Sequence, residues 1–414
     1  MFRRLFPFTA GESKILGLVG AGHLLSHFYV LALPPLFPLL KGEFDVTYFA
    51  LGMMVTVNAL TTSVAQTPFG FLVDRFGSRR ILVAGLILQG CLIVAIGFTD
   101  SYLAALALFG LAGIANAVFH PVDYAILSGS IARERLGQAF SIHTLTGNLG
   151  WVITPGVMLS LTALFDWRVA LVIVGCAPFV VAAFVLWQFN AIVEERPSVD
   201  QGSEPAEAQS TRDGLALLLS PTILMAFVFF MLIPMSFGAM RVFSVSALVD
   251  LYGYSLNYAV AALTGFLIGT SGGILVGGLF VDRLRRPELM AGAGFIGGAV
   301  FVVVIGSVPL PYALVCTAMV AAGFCAGIVQ PARDLLVRRV TPEGSAGKVF
   351  GFVSTGIGVG GAIMPLVFGL VLDLGDPRGV FWLAGVFFIV ALVTIGRFGA
   401  TGKRVWKASE SSAG

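Results

Sequence analysis

All four histidines of this 414-residue chain, His23, His27, His120 and His143, fall in its first half inside long apolar stretches, and Asp123 follows His120 by three residues. Imidazole changes charge near neutral pH, so a histidine cluster with a carboxylate partner suits the uptake and release of protons. The second half carries different groups, Arg241 and the pair Arg333 and Asp334, again in apolar runs. The first acidic residue after Arg241 is Asp250, and a guanidinium set in an apolar run suits a carboxylate, phosphate or phosphonate. Ionisable groups inside a bilayer are costly and mark substrate or ion paths. This division expects proton chemistry in one half and charge recognition in the other. Asn58, Asn116, Asn148 and Gln330 add polar groups to the same stretches; each either lines a cavity or bridges helices.

The elements that must hold these residues are membrane helices. Hydrophobic residues make up 57% of the chain and charged residues 11%, against about a quarter charged in soluble domains. Apolar runs long enough to span a bilayer, about 20 residues each, lie near 14–40, 47–72, 81–99, 102–131, 138–165 and 168–189. Six more lie near 221–249, 257–281, 288–308, 311–340, 347–372 and 379–398. The expected fold is an all-α membrane protein of twelve transmembrane helices in two pseudo-symmetric six-helix bundles. The expected divisions are a bundle at 1–192, a cytoplasmic linker at 193–220, a bundle at 221–402 and a tail at 403–414. Of 25 Lys and Arg, Lys41, Arg168 and Arg378 fall on one side and Arg241 and Arg333 inside spans, which leaves 20 for the side of the termini and linker. Positive charge concentrates on the cytoplasmic side, so both termini are expected there and the chain in the cell's inner membrane. The first apolar run lacks a small-residue cleavage site and is read as a retained helix.

The halves repeat each other. At an offset of 210, Pro121 falls on Pro331, Gly137 on Gly347, Gly150 on Gly360, Pro155 on Pro365, Asp166 on Asp376 and Arg168 on Arg378. The turn Gly70-Phe71-Leu72-Val73-Asp74-Arg75-Phe76-Gly77-Ser78-Arg79-Arg80 recurs, two residues shorter, as Gly278-Leu279-Phe280-Val281-Asp282-Arg283-Leu284-Arg285-Arg286. Parallel repeats of this kind belong to secondary transporters that alternate between two states, with substrate bound near the bilayer midplane. Asp74, Arg75, Asp282 and Arg283 are assigned to gating, where they meet helix starts and anionic lipid headgroups.

Depth groups the ionisable residues. At about 1.5 Å per residue, His27 lies mid-span and His23 one turn nearer the cytoplasm on the same face. His120, Asp123 and His143 lie toward the cytoplasmic ends of the fourth and fifth spans. His23, His27, His120, Asp123 and His143 form the proton-coupling set. His27, Arg241, Asn58, Asn116 and Met235 form the substrate set. The repeat sets Asp123 against Arg333 as a cytoplasmic gate, the alternative being that Arg333 pairs with Asp334 or caps its helix. Met231, Met235, His23 and His27 offer a soft-metal alternative; no metal site is assigned. Cys91, Cys176, Cys316 and Cys325 show no metal or redox spacing, and no Gly-rich loop followed by Lys-Ser/Thr offers a nucleotide site. No cofactor and no nucleic-acid partner is expected.

With twelve spans, two Asp-Arg turns and a central linker, the whole chain resembles the major facilitator superfamily. Two stretches are similar to its fosmidomycin-resistance branch: His23-Leu24-Leu25 followed by Pro35 to Phe44, and Phe119-His120-Pro121 followed by Gly137-Gln138-Ala139-Phe140-Ser141 and Gly147-Asn148-Leu149-Gly150 ahead of Pro155. The resemblance implies a non-enzymatic, proton-driven exporter of small, often anionic, drugs. The chain departs from it in three places. Phe109 holds the register of a fourth-helix arginine usual in drug/proton antiporters, Thr154-Pro155-Gly156 matches their Gly-Pro signature in part, and His27 replaces an acidic residue. The expectation is a monomeric, proton-coupled transporter of a small organic anion or anionic drug, acting by alternating access in the direction of efflux. The alternatives are carboxylate uptake by proton symport, transition-metal export, and a non-transporting membrane sensor or scaffold.

Overall fold

The computed structural model describes residues 8–188, 216–281, 284, 286–341 and 346–412, without the side chains of 334, 338–340, 346–348, 350 and 396–412. It divides into two compact units, Met1–Ser203 and Glu204–Gly414. Twelve of its helical stretches are long and apolar enough to cross a membrane, and among the described residues there is no strand.

In the first unit, α1 (Ala10–Val30), a 3-10 turn (Pro34–Leu36) and α2 (Phe37–Phe44) make the first span. Then come α3 (Tyr48–Phe76), α4 (Ser78–Ile96), α5 (Tyr102–Asn116), α6 (Phe119–Ser130), α7 (Arg133–Leu164) and α8 (Trp167–Trp187), with α5 and α6 sharing the fourth span. Short polar residues start the helices. Thr9 and Glu12 form a reciprocal capping box on α1, which supplies partners for amides that the first turn leaves over. Thr47 and Asp166 accept from the backbone three residues on, at Ala50 and Val169. Gly77, at φ +86°, turns the chain between α3 and α4 in the backbone region where a side chain would be strained.

Proline explains the interruption of the fourth span. Pro121 has no N–H for the carbonyl of Ala117, and its ring crowds that carbonyl. The helix breaks between Asn116 and Phe119, one residue ahead of His120.

Lipid tails are as apolar as leucine, so close packing and hydrogen bonds hold such helices together. Glycine lets α7 reach α1: a Cβ on Gly150 would strike the Leu24 carbonyl oxygen, and one on Gly147 would lie 2.6 Å from His23 Nε2. Val19, Leu82, Leu86, Val118, Phe119, Val122, Ile126 and Leu127 belong to one apolar core cluster of this unit.

The second unit holds α9 (Pro221–Ile233), a π turn (Pro234–Gly238) and α10 (Ala239–Tyr252) as one span. It continues with α11 (Leu256–Val281), α12 (Pro287–Ser307), α13 (Tyr312–Val340), α14 (Ala346–Asp373) and α15 (Pro377–Ser412). The last helix runs through most of the expected tail, although 396–412 is described in backbone only. Gly265, Gly269, Gly273 and Gly277 recur every four residues along α11, and those from Gly269 to Gly277 face α13 backbone atoms of Val320, Phe324, Gly327 and Ile328. Asp376 caps α15 by accepting from the Gly379 N–H at 3.1 Å, as Asp166, 210 positions earlier, caps α8.

Candidate functional site

The first unit gathers its titratable groups at one place. Asp123 is fully buried on α6, His23 is 2% exposed on α1 and His143 is 3% exposed on α7. His143 Nε2 lies 2.9 Å from Asp123 Oδ2, and His23 Nδ1 lies 3.3 Å from the same oxygen. The His23 and His143 rings stack, with centroids 3.7 Å apart at 26°. His27 packs at 4.5 Å from His23, and His120 at 5.2 Å. One carboxylate and four imidazoles from three helical spans are thus in mutual reach.

Local sequence accounts for the cluster. His23 and His27 share a helix face by their spacing of four, as do His120 and Tyr124, with Asp123 one residue before. On α7, His143, Gly147 and Trp151 repeat every four residues, so the face that presents His143 also carries the glycine that admits the His23 ring. Asp123 Oδ1 is buried without a hydrogen-bond partner among the described residues, and the buried His23 Nδ1 has Asp123 Oδ2 as its neighbour at 3.3 Å. The ligand atoms of His23, Asp123 and His143 lie within 4.8 Å of one another, a set that can hold a metal ion as well as a proton.

The asparagines of the expected substrate set are tied to neighbouring helices. Asn58 Nδ2 donates to the Phe109 carbonyl at 2.8 Å, and Asn116 Oδ1 accepts from the Ser26 hydroxyl at 2.7 Å. Both side chains are buried. Asn148 donates to the Thr144 carbonyl one turn earlier.

In the second unit, Met235 is buried in the π turn and Arg241 is half-buried at the start of α10. π turns frequently occur at functional sites. The guanidinium Nη2 of Arg241 lies 3.9 Å from where a Gly238 Cβ would stand, which is ordinary contact distance. Arg333 on α13 places its guanidinium 4.9 Å from the Phe230 ring centre; the Asp334 side chain lies outside the described residues. Asp74 and Arg75 are exposed at the end of α3. Asp282 and Arg283 lie outside the described residues.

Four features are absent from the sequence reading. Trp151 packs on His27 with centroids 4.4 Å apart, and Tyr124 lies 5.8 Å from His143. The four-residue spacing from His143 through Gly147 carried a signal for Trp151. Glu12 accepts from Arg135 Nη2 at 2.8 Å and from the Ala132 N–H at 3.1 Å, which ties the N-terminal end of α1 to the start of α7. On the opposite side Arg168 binds both Glu43 and Asp100 and lies over the Trp167 ring.

The sequence profile described as Major Facilitator Superfamily matches residues 19–263 and 235–412. The chain belongs to the Major Facilitator Superfamily. This is a family of membrane transporters, not of enzymes. Among its relatives, the fosmidomycin resistance protein of Escherichia coli is 25% identical over 389 residues, covering 92% of each chain. The membrane sensor protein UhpC of Escherichia coli is 24% identical, over 84% of this chain and 81% of that one. The probable nitrate/nitrite transporter NarK2 of Mycobacterium tuberculosis is 24% identical, over 83% and 84%. A solved bacterial homologue of the human lysosomal transporter Spinster superposes with a TM-score of 0.77 at 14% identity, over 95% of this chain and 98% of that one. The superfamily fold is therefore shown.

Proposed function

We propose that this superfamily member is a proton-coupled secondary transporter that exports a small organic anion by alternating access. The observation that carries the reading is the buried carboxylate of Asp123, 2.9 Å from His143 and 3.3 Å from His23, with His27 and His120 beside them. A proton arriving there can rest on the carboxylate or on an imidazole, and each choice changes which groups attract one another. That is the kind of local charge change that biases a two-state bundle. Because α1, α6 and α7 each contribute a group, a change of protonation acts on all three helices.

The anion falls to Arg241, whose fork of donors matches a carboxylate or phosphonate. Met235 and His27 complete the substrate set, and Asn58 and Asn116 act on it through the helices that they tie. The cytoplasmic Asp123–Arg333 gate stays in this proposal. The exposed Asp74 and Arg75, with their counterparts Asp282 and Arg283, couple the turn to headgroups and to helix movement. The proposed placement is the inner membrane with both termini in the cytoplasm. The resistance named for the Escherichia coli relative supports export over uptake. The relative named as a membrane sensor supports a second reading, a receptor that binds an anion without moving it.

The test is flux into proteoliposomes. A pH gradient is imposed and a panel of small carboxylates and phosphonates is offered. Uptake against the anion's own gradient, lost when the pH gradient is collapsed, supports coupled transport. Binding without flux favours the receptor reading, and flux indifferent to the pH gradient removes proton coupling.

A further inference from the structure

The geometry points to a binding site for a divalent first-row transition metal, of the zinc and cobalt class, formed by His23, Asp123 and His143. The three residues come from three helices, and their ligand atoms lie within 4.8 Å of one another. Ligands about 2.0–2.1 Å from a tetrahedral zinc stand about 3.3 Å apart. The two separations on Asp123 Oδ2, 2.9 and 3.3 Å, are already near that edge length. Two imidazoles and one carboxylate form a donor set that zinc-class ions take in sites with an open position.

A second observation is independent of the spacing. Asp123 Oδ1 is buried and lacks a hydrogen-bond partner among the described residues. Such buried polar atoms are rare, and an ion is one of their ordinary explanations. Gly147 leaves space for the edge of the His23 ring, since a Cβ there would lie 2.6 Å from Nε2. Coordination requires the His23 and His143 rings to turn their nitrogens toward one point. This opens the 3.7 Å stack and fixes α1, α6 and α7 to a common centre. The ion clamps three helices of one unit. Under the transport reading this arrests the exporter, but the binding itself does not rest on that reading.

The experiment uses the full chain, purified without a polyhistidine tag. Cobalt(II) is titrated in and the visible ligand-field bands are recorded, then zinc is added to displace it; unfolding temperature is followed with and without zinc. The site predicts saturable bands lost on zinc addition, and a zinc-dependent rise in unfolding temperature. Asp123→Asn and His143→Gln should each weaken cobalt binding by at least about tenfold. A variant with Cys91, Cys176, Cys316 and Cys325 all changed to serine should bind as the parent does. Monodisperse elution and helical circular dichroism qualify each variant, and His23→Gln replaces any that fails. Absence of bands at millimolar cobalt, bands that persist in the qualified His and Asp variants, or bands lost only in the cysteine-free chain would overturn the site. Neither readout involves flux, so failure of the transport proposal and failure of this one are separate results.

Discussion

Replacing Gly147 by alanine adds a single methyl carbon at the point where α7 meets α1. That carbon would lie 2.6 Å from His23 Nε2, 2.8 Å from His23 Cδ2 and 3.0 Å from His27 Cε1. Ordinary van der Waals contact begins near 3.4 Å, so the His23 ring must retreat by about 0.8 Å. Its far face is stacked on His143 and its edge faces Asp123, so the retreat disturbs the whole cluster. Overpacking of this kind costs about 1–3 kcal/mol, while alanine in place of glycine returns about 1 kcal/mol of helix propensity. The net loss of stability is thus small, ~0–2 kcal/mol. Misplacing a working group by 1 Å, by contrast, can cost about a hundredfold in rate. The expectation is a protein that folds and elutes normally but loses roughly 10–100-fold of its pH-driven flux. Gly137→Ala on the same helix is the control, because a Cβ there meets nothing within 4 Å. Flux is measured in proteoliposomes and stability by thermal unfolding of the same preparations. If Gly147→Ala matches Gly137→Ala in flux, the cluster geometry has no part in coupling.

Two further outcomes are expected. Glu12→Gln weakens the contacts to Arg135 and Ala132 and the capping box at once; because the Arg135 side chain is 27% exposed, screening limits the loss to about 1–2 kcal/mol. It is read as a lower unfolding temperature, and an unchanged temperature would remove the α1–α7 tie from the account. For the gate, Asp123→Arg combined with Arg333→Asp should restore part of the equilibrium exchange that either change abolishes, while pH-driven accumulation stays lost for want of the Asp123 carboxylate. A double variant no better than the worse single one would dismiss the gate and leave the histidine cluster standing.

Much of the architecture was readable because a bilayer allows few solutions. Every backbone polar group must be satisfied within the span, so apolar runs separated by charged turns mark helices directly. The cluster was readable in part. His23 and His27 at i and i+4, and His120 with Asp123 at i and i+3, fix which groups share a face, and depth fixes which faces sit at one level. Ring stacking between His23 and His143 was beyond reach, since it depends on how closely α1 and α7 approach, and that distance is set by Gly147 and Gly150. Asn58 and Asn116 show a different limit: an asparagine in an apolar helix looks the same whether it faces a cavity or a neighbour's carbonyl. Only the partners Phe109 and Ser26 reveal the ties. The break at Ala117 lay hidden inside a continuous apolar run, although Pro121 four residues later was its cause. The Glu12–Arg135 pair joins residues 123 positions apart, with no periodicity to announce it.

The central claim is that Asp123 and its histidines couple protons to anion movement. The most direct measurement loads proteoliposomes with one labelled anion and compares pH-driven flux with equilibrium exchange of the same anion, for the parent chain and for Asp123→Asn. The account predicts that the variant keeps exchange across the membrane but no longer concentrates the anion when a pH gradient is applied. An Asp123→Asn protein that still concentrates the anion as well as the parent would contradict it.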